Sequence, residues 1–203
     1  MLNKKKQEID TKASHSKPTD EELIERFQNE DLYAFDQIVH RYQDQLVNFV
    51  YMYLGDRSDA EDVVQETFLR VYRNKHMYRQ IAKFSTWIYT IAGNLAKTEL
   101  RRRRRRKILS ITQMGYEDKD YELPSDTLTP EKIIDSDMKE KIIKKEIEDL
   151  PIRFKEVIVL RDVEEFSYEE ISKMLSIPIG TVKSRVNRAR TRLQKRLKYL
   201  WDK

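Results

Sequence analysis

The chain has no cysteine, which excludes a disulfide framework, a thiolate metal site and a cysteine nucleophile. Glycine occurs four times and proline five times in 203 residues. Sheets need turn residues at short intervals, so this scarcity argues against a β-rich fold and for helices. No apolar run reaches the roughly 18 residues of a membrane span. The opening stretch MLNKKKQEIDTKASHSK is polar throughout and lacks the apolar core of a signal peptide. A cytoplasmic protein without membrane insertion is expected, with residues 1–18 as a disordered tail. Histidine is also scarce: His15, His40 and His76 stand apart from one another and from the acidic clusters. No catalytic residue, metal site or cofactor is expected.

Charge is what the chain has in quantity. Charged residues make up 37% and hydrophobic ones 39%, with a net charge of +5. So small a net excess acquires meaning only from its distribution.

Three segments show helical signals in the first half. Thr19 opens a T-x-x-E capping box with Glu22, in which each side chain satisfies a free backbone N–H of the first turn. Phe35, Ile38, Val39, Tyr42, Leu46, Phe49, Val50 and Tyr53 then recur at three- and four-residue steps, one apolar face of a long helix. LGDRS breaks it, and Ser58 with Glu61 offers a second capping box before DAEDVVQETFLRVYRN. The third segment, FSTWIYTIAGNLAKTELRRRRRR, is apolar and aromatic at its start and wholly basic at its end. These helices form a first unit, residues 19–107.

Between Glu117 and Asp137 lie eight acidic residues and two lysines, interrupted by Pro124 and Pro130. No apolar periodicity survives there, so residues 108–130 are expected to form a flexible acidic linker. Helical period returns through Ile134, Met138, Ile142, Ile143, Ile147 and Leu150, opening a second unit at residues 131–203. The fold class is therefore all-α, with two small helical domains joined by a linker.

In the second unit Ser167 and Glu170 form another capping box, and Ile171, Met174 and Leu175 face inward. A turn follows at Ser176–Ile177–Pro178, and a second helix starts near Pro178 with Val182 and Val186 inward. Two short helices at this spacing make a helix-turn-helix, whose second helix fits a DNA major groove about 12 Å wide. From Lys183 to Lys198 there are eight basic residues and no acidic one. An ordinary helical hairpin with a cationic face is the plainer alternative.

Asp56, Asp59, Glu61, Asp62 and Glu66 crowd one short stretch, with Ala60, Val64, Thr67 and Val71 as its buried stripe. Carboxylates near a helix N-terminus complement its dipole, which explains part of this acidity. The functional reading is an acidic face that docks on a basic partner protein. In residues 76–107, Tyr78, Arg79, Phe84, Trp87, Tyr89, Asn94 and Lys97 mix flat rings, hydrogen-bonding groups and cations. That mixture suits single-stranded nucleic acid, because rings stack on unpaired bases and cations hold phosphates. Trp87, Ile88, Ile91 and Leu95 are better read as core, which leaves Tyr78, Asn94 and Lys97 needing another role.

The segments DAEDVVQETFLRVYR, FSTWIYTIAGNLAKTELRR and LPIRFKEVIVLRDVEEFSYEEISKMLSIPIGTVKSRVNRAR resemble the two domains of an extracytoplasmic-function (ECF) sigma factor, in the expected order. The resemblance implies a region-2-like N-terminal domain and a region-4-like C-terminal domain. It implies binding to core RNA polymerase, at the clamp helices of its largest subunit and the flap of the second-largest. It also implies recognition and opening of promoter DNA, duplex and single-stranded, under the restraint of an anti-sigma factor.

On the resemblance, Asp59, Asp62, Gln65 and Glu66 contact core polymerase. Tyr78, Arg79, Asn94 and Lys97 serve the minus-ten element, with Tyr78 and Asn94 at positions that cradle a flipped base. Arg101, Arg102, Arg103, Arg104 and Arg105 lie just past that pocket as a phosphate grip. Successive helical residues turn by about 100°, so the arginine run cannot all serve one face. Thr181, Lys183, Ser184, Asn187, Arg188 and Arg190 match the helix that reads the minus-thirty-five element. Glu165 and Ser176 depart from the family pattern, standing where glycine is common. Two rivals remain from the residues alone: a duplex-DNA regulator acting without polymerase, and a nuclease or recombinase using the Asp59–Asp62 cluster.

Overall fold

The computed structural model describes residues 17–114 and 136–200, and the described residues are helical with short connections. α1 (Asp20–Gln28) begins with the expected box: the Glu22 N–H donates to the Thr19 hydroxyl at 3.2 Å, and the Thr19 N–H donates to the Glu22 carboxylate at 2.7 Å. Asp31 caps α2 (Leu32–Leu54) by accepting from the N–H groups of Tyr33 and Ala34 at 3.0 and 3.2 Å. α2 stops at Gly55, whose φ of 68° is the left-handed conformation that glycine adopts without a steric penalty.

The capping box expected from Ser58 to Glu61 does not form. α3 (Arg57–Arg73) starts earlier, because the Asp56 carboxylate accepts the Asp59 N–H at 2.9 Å. Glu61 pairs instead with Arg57 at 3.0 Å, one turn back on the same helix. α4 (Phe84–Met114) completes the first domain.

Phe27, Phe49 and Phe84 are fully buried at the centre of these four helices, with Leu23, Ile38, Leu46 and Ile88 around them. A buried ring of this kind contributes several kcal/mol; Phe→Ala in a core costs about 3–5 kcal/mol. Of the four residues assigned to core in the third segment, Ile88 is fully buried, while Trp87, Ile91 and Leu95 pack half-buried against it.

Helix α4 runs on to Met114, so the linker expected to begin at residue 108 is helical in its first seven residues. The cause is visible in ILSITQM, which holds neither glycine nor proline before Gly115. The remainder of that expected linker, and residues 1–16, lie outside the described residues.

The second domain comprises α5 (Ser136–Glu148), α6 (Ile152–Ile158), a π-helical turn (Val159–Val163), α7 (Tyr168–Leu175) and α8 (Ile179–Leu197). The Ser167–Glu170 box forms at the start of α7, at 2.8 and 3.2 Å. Val182, Val186, Ala189, Leu193 and Leu197 line the buried side of α8, as the period requires. Ser176 and Glu165, the two positions where glycine was expected, both take left-handed backbone, with φ of 54° and 58°. The Ser172 hydroxyl donates to the Ile177 carbonyl at 2.6 Å and fixes the turn between α7 and α8.

Candidate nucleic-acid interface

Three surfaces emerge from these helices. The first is the outward face of α3. Asp62 and Gln65 are exposed, and among the described residues no ion pair engages Asp62. Glu66 is half-buried and pairs with Arg70 at 3.0 Å. Leu69 and Tyr72 extend the same line at three- and four-residue steps and stay exposed, at 48% and 47%. Sequence reading missed these two. Their signal was available, because they fall outside the buried Val64–Thr67–Val71 stripe. Asp59 does not belong to this free face: it forms an ion pair with Arg103 of α4. Asp59 and Asp62 are therefore not a free carboxylate pair.

The second surface surrounds the connection between α3 and α4. Gln28 donates to the carbonyls of Lys75 and Tyr78 at 2.7 and 3.1 Å, and Glu21 accepts the Phe84 N–H at 3.1 Å. Both ends of the loop are thus pinned to α1. Lys75, buried, donates to the Phe27 carbonyl at 3.2 Å and to Glu30 at 2.6 Å. Tyr78 was expected to cradle a base, but its ring is only 5% exposed. It packs on Phe84 and Trp87, with centroids 5.6 and 5.5 Å away, and its hydroxyl donates to the Ala82 carbonyl at 2.9 Å. Here Tyr78 shapes the loop from beneath. The residues the loop presents are Arg79, Gln80 and Ile81, the last 82% exposed.

The arginine run divides by helical angle. Asn94, Thr98, Arg101 and Arg105 follow one another at steps of four, three and four residues, and all four are exposed. Among the described residues neither Arg101 nor Arg105 has an ion-pair partner. Arg102 is held by Glu99 at 2.7 Å. Arg103 is turned inward, donating to the Leu54 carbonyl at 3.0 Å as well as pairing with Asp59. Its assignment to the phosphate grip is corrected: it braces α4 against α2 and α3. The side chain of Arg104 lies outside the described ones. Lys97, the remaining cation of this group, pairs with Glu156 of α6 at 3.0 Å.

The third surface is the open side of α8. Lys183, Ser184, Asn187 and Arg188 are exposed and contiguous on the helix, with Thr181 half-buried at its first turn. The Ser184 hydroxyl donates to the Thr181 carbonyl at 3.0 Å. Arg190 is not free: it makes a two-pronged pair with Asp162 of the π-helical turn, at 2.9 and 2.6 Å. Arg185 pairs with Glu156 at 3.5 Å, and Arg196 with Glu146 at 3.2 Å. The one-signed helix is therefore a positive face at its N-terminal half and a set of tethers along its sides.

A helical bundle with a cationic seam and a helix-turn-helix with an open polar face define a two-domain DNA-binding protein. Residues 38–106 match the family model for sigma-70 region 2, and residues 140–193 match that for sigma-70 region 4. The chain is 36% identical over 185 residues to the ECF RNA polymerase sigma-E factor of Haemophilus influenzae, covering 90% of this chain and 97% of that one. It is also 36% identical to the ECF RNA polymerase sigma factor SigW of Bacillus subtilis, over 179 residues and 87% and 96% of the two chains. Among solved structures it is similar to the sigma factor RpoE of Bartonella quintana in complex with the anti-sigma factor NepR. That match has a TM-score of 0.61 and 26% identity, and covers 81% of this chain and 96% of that one. The chain belongs to the ECF sigma factors, and directs transcription initiation from promoters.

Proposed function

We propose that the exposed face of α3 (Asp62, Gln65 and Glu66, continued by Leu69 and Tyr72) docks on the clamp helices of core RNA polymerase's largest subunit. The Arg79–Ile81 loop tip, Asn94, Arg101 and Arg105 then hold the minus-ten element as it opens. Thr181, Lys183, Ser184, Asn187 and Arg188 read the minus-thirty-five element in the major groove, with the second domain resting on the flap of the second-largest subunit. The chain acts in the cytoplasm as an initiation factor, not as an enzyme. Residues 19–114 and 131–203 are the two working domains, and residues between them tether one to the other.

Arg101 and Arg105 in line with Asn94 are the observation that carries this reading, because guanidinium groups without an ion-pair partner among the described residues are available to match phosphate oxygens two at a time. Tethering lets two elements on one promoter be read together, since linkage raises the effective concentration of the second contact. The solved complex of the sigma factor RpoE with NepR supports a further partner here, an anti-sigma factor. Run-off transcription with purified core enzyme, followed by sequencing of the start sites, tests the assignment. Defined starts that depend on this chain are expected; their absence overturns it.

A further inference from the structure

The loop between α3 and α4 is fastened to the corner between α1 and α2 by side chains from both. Gln28, the last residue of α1, donates its side-chain amide to the carbonyls of Lys75 and Tyr78. Lys75 opens the one-turn helix Lys75–Met77 and sends its ammonium back to the end of α1. There it donates to the Phe27 carbonyl at 3.2 Å and to the Glu30 carboxylate at 2.6 Å, and it stands 4.7 Å from the centre of the Phe27 ring. Lysine is almost never buried unless its charge is paired, and Lys75 is buried. A cation at a helix C-terminus satisfies carbonyls that the helix leaves free and offsets its dipole, so Lys75 caps α1 from the far side of the domain.

The corner carries backbone strain. Glu30 holds left-handed backbone, with φ of 70°, a conformation unfavourable for every L-residue. Residues held this way cluster at functional sites, where surrounding contacts over-determine them. The Glu30 side chain is 76% exposed, so it adds little packing; its ion pair is with Lys75. What the corner holds is a loop whose apolar side chains face outward. Met77 and Ile81, 73% and 82% exposed, are the most exposed large hydrophobic residues among those described. Left free, a loop with two such side chains would gain by folding them onto nearby apolar surface. Here its base is fixed at the Lys75 and Tyr78 carbonyls, and the Tyr78 hydroxyl closes it on the Ala82 carbonyl.

We propose that Gln28, Glu30 and Lys75 are positioning residues for the minus-ten surface: they touch no DNA, and they hold the Arg79–Ile81 tip in its DNA-binding shape before DNA arrives. This rests on the proposed minus-ten surface. A loop ordered in advance binds more tightly because its ordering is removed from the binding step. Loosening the corner therefore lowers affinity without removing a contact to DNA. No phosphate contact is lost, so the salt dependence of binding stays as it is. The sign of the charge effect is also set. Glu30→Ala removes a negative charge beside a basic loop, which by long-range electrostatics alone would tighten DNA binding. Loss of positioning weakens it.

The absence of cysteine makes the test direct. A spin label on Gln80→Cys, at the exposed loop tip, reports the motion of the loop in the full chain. A slow, ordered label is expected for the otherwise native protein, and Gln28→Met or Glu30→Ala should each make it faster. Binding is then read with holoenzyme and fluorescent DNA from a promoter mapped by run-off transcription, made single-stranded across the minus-ten element. Either substitution, without the label, should weaken binding roughly three- to tenfold, the range for ordering one or two side chains. The slope of log K against log salt and the affinity for core polymerase should be unchanged. Glu30 is exposed, so Glu30→Ala provides a folded variant if a change at half-buried Gln28 does not. In a chain carrying Lys75→Met, Glu30→Ala should add nothing, because the two act through one pair. A fast label in the native chain, or one that the substitutions leave unchanged, overturns the proposal. So does native or tighter DNA binding by the looser variants, or a flatter salt slope, which would make these residues direct phosphate contacts. Failure of the native holoenzyme to give defined starts overturns the minus-ten reading and this proposal with it, whereas failure of the variants alone overturns only this one.

Discussion

Arg103 and Asp59 join the C-terminal part of α4 to the first turn of α3. Each had been expected to face an external partner, Arg103 a phosphate and Asp59 the polymerase. Their pairing makes both structural and separates them from neighbours one residue away. Arg103→Gln should therefore lower stability by about 1–2 kcal/mol, a figure discounted because Asp59 is half exposed. Thermal unfolding checks this against Arg101→Gln, which should leave stability within about 0.5 kcal/mol.

Arg101→Gln with Arg105→Gln should weaken promoter binding by holoenzyme and leave the ranking of promoter sequences intact. Each lost phosphate contact reduces the slope of log K against log salt by about 0.7–0.9, so the pair should flatten it by roughly 1.5. A parallel slope would return both residues to the role of a solvated helix end.

Arg188→Ala should cost about 1–3 kcal/mol of promoter affinity and relax preference at one position of the upstream element. Equal weakening on every duplex would make Arg188 a phosphate contact only. Asp62→Lys with Glu66→Lys should weaken binding to core polymerase with helicity intact, and titration of labelled protein measures it. Leu69→Ala should do the same, since truncating an exposed apolar anchor removes contact area without touching the core, whereas the Tyr72 ring also packs on Phe27 and Phe35.

Two glutamates at the domain junction titrate in opposite senses. Burial raises the Glu164 carboxyl above its ordinary 4.5, with the Tyr89 hydroxyl offsetting part of that shift. Tyr42, Lys83, Glu165 and Glu170 line the same cleft. A carboxyl raised by burial stabilises the folded chain at low pH and loses that contribution as pH rises through its folded-state pKa. For Glu170, burial also acts upward, but hydrogen bonds from Ser167 and Lys83 outweigh it and hold the carboxyl below 4.5. Its contribution is present above 4.5 and fades as pH falls below. Glu164→Gln, neutral throughout, should stabilise the folded chain at neutral pH and remove the part of the pH dependence above 4.5. Glu170→Gln should remove the part below it. Thermal unfolding followed from pH 3.5 to 7 (about 3.5 units across the carboxylate range) would separate the two.

Ser176 holds left-handed backbone without being glycine. Left-handed geometry costs an L-residue about 1–2 kcal/mol, and glycine gives back part of that gain through its freer unfolded chain. Ser176→Gly should raise the stability of the helix-turn-helix by about 0.5–1 kcal/mol, read as an increase in unfolding temperature.

The helices themselves were legible because their causes are local. The three- and four-residue recurrence from Phe35 to Tyr53, the Thr19–Glu22 and Ser167–Glu170 boxes and the scarcity of glycine and proline each act within a turn or two of chain. Where two local signals competed, sequence alone chose wrongly: Ser58 and Asp56 are both good caps, and Asp56 won by starting α3 earlier. The same locality hid the end of α4, since a change in charge pattern at residue 108 does not stop a helix that meets no breaker before Gly115.

By itself, then, the sequence determined an all-α chain with two helical units, a positive groove-reading helix and an acidic face on α3, because period, capping and charge run along the chain. Which charges stay available was decided only by tertiary structure. Arg101 and Arg103 are the same residue type two positions apart, yet one is exposed and the other is held by Asp59 and the Leu54 carbonyl. Arg188 and Arg190 repeat the contrast, with Asp162 taking the second. Tyr78 is aromatic beside a basic loop, but Phe84 and Trp87 bury it. A side chain's partner lies across the fold, tens of residues away in sequence, and the choice among neighbouring cations is made by whichever carboxylate the packing brings within about 3 Å.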